Sequence, residues 1–75
     1  SMIRDTPSDA KPEIDRRGPG GNAFALLGNA NKLARDLGFD SETVQAIQKE
    51  MTAGDYENLL VVFDKHFGDY VDLVR

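Results

Sequence analysis

The chain has no cysteine, no tryptophan and a single histidine in 75 residues. The missing thiols exclude a disulfide framework and any thiolate metal site. One histidine, His66, excludes a multi-histidine centre, and no ligand spacing suggests a metal or any other cofactor. No apolar run approaches the roughly 20 residues that a membrane-spanning helix needs. No basic-then-apolar leader opens the chain. Basic side chains are in the minority: nine Lys and Arg stand against 13 Asp and Glu, for a net charge of −4. The imbalance is concentrated late, since residues 36–75 hold three basic and nine acidic side chains. Such a half is a poor surface for nucleic acid, whose affinity rests on neutralising phosphates. It suits a basic protein partner.

What is present fits one small domain. Forty per cent of the residues are hydrophobic and 29% are charged, which is ordinary for a globular chain. A domain this short buries only about 60% of its unfolded surface. Self-association is one remedy for a core so thin. Ser1 before Met2 is read as a cloning remnant. Residues 1–12 carry two prolines and mixed charge, and are read as a flexible tail. The globular domain is expected over 13–75.

The organising stretch is Gly18-Pro19-Gly20-Gly21-Asn22-Ala23-Phe24-Ala25-Leu26-Leu27-Gly28. Pro19 biases Gly18 towards extended backbone. Gly20 and Gly21 are expected at positive φ, and Asn22 is expected to cap a helix over 23–37. Phe24, Leu27, Ala34 and Leu37 fall near one face, which Leu26, Ala30 and Leu33 widen. So broad an apolar stripe makes this helix the expected hub of the core. Gly28, unfavourable in a helix interior, is read as a point of close approach. Gly38 is placed just beyond the helix, with Phe39 folding back over Leu33 or Ala34.

A second helix starts at Asp40 or Ser41, buries Val44, Ile47 and Met51, and ends at Gly54. Asp55 caps a third helix after a tight turn, with Tyr56, Leu59, Leu60, Phe63 and Phe67 along one face and Gly68 closing it. Residues 69–75 are rich in strand formers, with Val71 and Leu73 pointing one way and Asp72 the other. Glu13-Ile14-Asp15-Arg16 is the other strand-like segment. The expected fold is mainly α: a compact three-helix domain with a two-stranded sheet formed by the chain ends.

The glycine turn admits two readings. One is a bend that a buried helix requires. The other is an anion site, in which Arg16, Arg17, Gly20, Gly21 and Asn22 hold a phosphate at the helix N-terminus. The glycines fit neither Gly-x4-Gly-Lys-Ser/Thr nor Gly-x-Gly-x-x-Gly. Carboxylate pairs at Asp55 and Glu57, and at Asp69 and Asp72, have no base or pocket beside them that would argue for acid–base catalysis. His66 sits where its cation would favour a helix C-terminus.

The glycine run and the later Glu50-Met51-Thr52-Ala53-Gly54-Asp55-Tyr56-Glu57-Asn58-Leu59-Leu60 resemble a family of small proteins encoded by bacteriophages and prophages. The likeness covers about residues 14–75. It implies a phage setting and an α-rich fold; without a leader or an apolar span in the sequence, the expected location is the cytoplasm of a bacterial host. It carries over no activity and no site residue. The expected function is a non-catalytic interaction module that binds a host or phage macromolecule. Its docking surface would be acidic, with Asp55, Glu57, Asp64, Asp69 and Asp72. The alternatives are a protein that sequesters a phosphate or cyclic nucleotide at the glycine turn, and a structural phage component.

Overall fold

A computed structural model describes residues 11–74. The elements are strand β1 (Glu13–Asp15), a 3-10 turn (Pro19–Gly21), helices α1 (Ala23–Asp36), α2 (Ser41–Met51) and α3 (Tyr56–Phe67), and strand β2 (Asp72–Val74). The two strands pair in parallel, Glu13 opposite Asp72 and Asp15 opposite Val74. Parallel neighbours need a crossover connection, and here the three helices supply it. Most of the expected tail lies outside the described residues. Lys11 and Pro12, however, belong to the fold: Lys11 donates to the Gly68 carbonyl at 2.8 Å, and the Pro12 carbonyl accepts from the Asp72 N–H at 2.9 Å.

Each helix starts on the side chain expected to cap it. Asn22 accepts from the Ala25 N–H, Asp40 from Thr43 and Asp55 from Asn58, all at 2.8–2.9 Å. That bond to Thr43 holds the Asp40 carboxyl below its ordinary pKa. Helix α1 ends in a Schellman motif. Phe39 N–H bonds to Ala34 O, Gly38 N–H bonds to Arg35 O, and Gly38 takes φ +80°. Helix α2 stops at Met51 rather than running to Gly54. The Thr52 hydroxyl bonds back to Gln48 O, and the Asn58 amide reaches over from α3 to Glu50 O.

The hub is α3, not α1. Leu59, Leu60, Val62, Phe63 and Phe67 are all buried, against Leu26, Ala30 and Ala34 from α1 and Ile47 and Met51 from α2. The inward face of α1 is the row 26, 30, 34, where two alanines let the helix lie close to its neighbours. Phe24, two residues before Leu26, is turned about 200° around the axis. It is 88% exposed. Leu27, Leu33 and Leu37 are half-buried at the margin of the core.

Two further expectations, both about glycines, are corrected. Gly28 approaches nothing, since a Cβ there would meet no atom within 4 Å. Gly20 and Gly21 do not adopt positive φ; among the described residues only Gly38 does. Gly21 is needed for space, because a Cβ would sit 2.3 Å from the Arg16 carbonyl oxygen. The Phe39 ring stacks on Phe67, centroids 6.4 Å apart, and that contact joins the end of α1 to the end of α3.

Candidate functional site

The glycine turn is closed upon itself. Gly21 N–H bonds to Gly18 O at 3.0 Å and Gly18 N–H to Asp15 O at 3.1 Å. The Asn22 carboxamide caps Ala25, and its nitrogen donates to Pro19 O at 2.9 Å. A side-chain oxygen therefore already stands where a bound anion would accept. Arg16 is half-buried, and its backbone N–H donates to Val74 O at 2.7 Å. Its Nε is buried without a hydrogen-bond partner among the described residues. Arg17 is exposed, its N–H bonded to Asp15 Oδ1 at 2.9 Å. Gly20 is exposed and Gly21 buried. The structure brings the five turn residues together, but directs several of their donors inward.

The five acidic residues do not share one face. Asp55 and Glu57 are exposed at the start of α3. The others gather at its far end, about 18 Å away for a helix of this length. Asp72 is fully buried, correcting its expected outward orientation and its place on a docking surface. It pairs with Lys11 at 3.0 Å, which supplies the charge that its burial requires. Asp64 is half-buried, and its Oδ1 lacks a hydrogen-bond partner among the described residues. Burial pushes its carboxyl above the ordinary range. Lys11 counters that shift, while Asp72 and Asp69 add to it. Asp69 is exposed.

His66 bonds to Glu50 Oε1 at 2.8 Å, and Lys65 to Glu50 Oε2 at 2.6 Å. These bonds, the one from His66 first, lower the Glu50 pKa. The triad clamps α2 to α3. It leaves His66 engaged in a structural bridge.

The feature that the sequence reading missed is at the other end of the molecule. Phe24 projects from the first turn of α1 into solvent. Ala23, the residue before it, lines a shallow hollow of about 240 Å³ together with Leu27, Met51, Gly54, Tyr56 and Leu59 and the polar Thr52 and Asp55. That volume is below the roughly 300–1,000 Å³ of small-molecule sites. It is the scale of one protein side chain. The Tyr56 hydroxyl donates to the Gly21 carbonyl, fixing the glycine turn against the start of α3. That bond ties the turn to a residue that lines the hollow. A helical wheel aligned on the alanines at 30 and 34 would have exposed Phe24; a stripe that includes every apolar residue conceals it.

Among the described residues no group of three or more His, Asp or Glu is placed to hold a metal ion. No described helix is long and apolar enough to cross a membrane. No family model, curated protein or solved structure matches the chain.

Proposed function

We propose that the chain is a non-catalytic protein-interaction module of phage origin. It makes its contact through the end of the molecule that carries Phe24. The observation behind this reading is the 88% exposure of Phe24, which follows directly on Ala23 in the lining of a largely apolar hollow. A large aromatic held on a rigid helix costs little conformational entropy to bury, and such residues anchor protein interfaces. Thr52 and Asp55, in the lining of the hollow, give the contact a polar rim. The phage origin rests on the resemblance carried by the two motifs. The ligand-sequestering alternative is weaker, because Asn22 occupies the anion position and Arg16 Nε is buried.

Photo-cross-linking tests the reading. Phe24 is replaced by p-benzoylphenylalanine in living bacteria, with the same replacement at Val61, also exposed, as the control. Discrete protein adducts from position 24 alone are expected. Equal labelling from both positions, or none from 24, contradicts it.

A further inference from the structure

Residues 11–15 are attached unequally along their length. Their strand, β1, is three residues long and keeps Glu13 and Asp15 exposed; Ile14 packs against the core but is only half-buried. The strand they cover is the opposite, since Asp72 and Leu73 of β2 are fully buried. At one end the segment runs into the glycine turn, which is bonded to itself and tied to α3 by the Tyr56 hydroxyl on the Gly21 carbonyl. At the other end stands Lys11. Its ammonium reaches the Gly68 carbonyl at 2.8 Å and Asp72 Oδ1 at 3.0 Å. It therefore bonds at once to the residue that follows α3 and to the first residue of β2.

We infer that residues 11–15 form a flap, anchored at the glycine turn and latched by Lys11, which opens while the helices stay folded and uncovers β2. A segment opens by itself when it buries little apolar surface. Here one half-buried isoleucine stands against the fully buried face of α3. The latch outweighs the other ties because its donor is charged, and hydrogen bonds to charged groups are stronger than neutral ones. Release does not strand the Asp72 carboxylate, because opening gives it water in exchange for the ammonium. The pairing opens from the Lys11 end, where the Asp72 N–H bonds to the Pro12 carbonyl. The bond from the Arg16 N–H to the Val74 carbonyl lies next to the anchored turn and opens last. This device is separate from the contact at Phe24.

Hydrogen exchange of the full chain, read amide by amide by NMR over a series of low urea concentrations, tests it. In the wild-type chain the Asp72 amide is expected to be less protected than the Arg16 amide. Both should exchange with a weaker urea dependence than the Phe63 amide in the core. Lys11→Met, which keeps the stem and removes the charge, should speed exchange at Asp72 by about tenfold or more. Lys11→Arg, which keeps the charge, should change it far less. Asp72 and Arg16 amides with the same urea dependence as Phe63 overturn the flap, since β1 then leaves only when the whole chain unfolds. Exchange at Asp72 that Lys11→Met leaves unchanged, or that Lys11→Arg raises as much, overturns the latch.

Discussion

The Tyr56 hydroxyl donates to the carbonyl of Gly21, 35 residues earlier in the chain. One bond thereby joins the turn that launches the first helix to the residue that opens the third. Gly21 itself is buried, so its carbonyl has little water to fall back on. Tyr56→Phe should destabilise the fold by about 1–3 kcal/mol, the range for leaving a buried polar group unpaired. Urea denaturation checks it. An unchanged midpoint would show that the turn holds without α3.

The glycines separate by role. Gly21→Ala forces a Cβ onto the Arg16 backbone and should cost about 2 kcal/mol or more. Gly28→Ala meets only open space on an exposed helical surface and should stabilise by about 0.5–1 kcal/mol. Thermal melts of the two variants should move in opposite directions.

The core divides in the same way. Phe63 is fully buried and packs on Phe67 with ring centroids 5.4 Å apart. Phe63→Ala should cost about 3–5 kcal/mol, a large part of the total stability of so short a chain. Phe24→Ser, measured on dilute monomer, should change stability by less than about 0.5 kcal/mol. Equal losses from the two would place Phe24 in the core.

Two carboxyls give the stability opposite dependences on pH. The Glu50 pKa is lowered in the fold, by the His66 bond first and then Lys65. Its contribution is complete above the ordinary glutamate pKa and is lost as pH falls through the lowered value. Glu50→Gln should therefore be less stable than wild type at pH 7, and the gap should close in acid. The Asp64 pKa is raised by burial. Its favourable contribution is present below the ordinary aspartate pKa and is lost as pH rises through the raised value. Asp64→Asn should gain stability relative to wild type at neutral pH and lose that advantage in acid. Melting temperatures across pH 3–7, as an approximate window around the carboxyl range, check both signs.

Much of this was legible because it is local. Asn22, Asp40 and Asp55 announce their helices through a side chain bonding three residues on, and Gly38 announces the end of α1. Pairing of the chain ends was legible too, because a lone strand needs a partner. The errors arose where a third dimension was required. Seven apolar residues on α1 look like a broad stripe, and only the close packing of Ala30 and Ala34 shows which way the helix faces. Asp72 looks like a solvent residue until Lys11, 61 residues earlier in the sequence, arrives to pair with it. Gly21 and Gly28 look alike in a string; one is pressed against a carbonyl and the other faces nothing.

The central claim is that protein contact covers Phe24. Hydroxyl-radical footprinting reads that directly, comparing oxidation of Phe24 in dilute purified protein with its oxidation in concentrated extract of cells producing the chain. Strong labelling in the first and marked protection in the second, with Tyr70 labelled alike in both, is the predicted result. Phe24 labelled equally in the two conditions would contradict it.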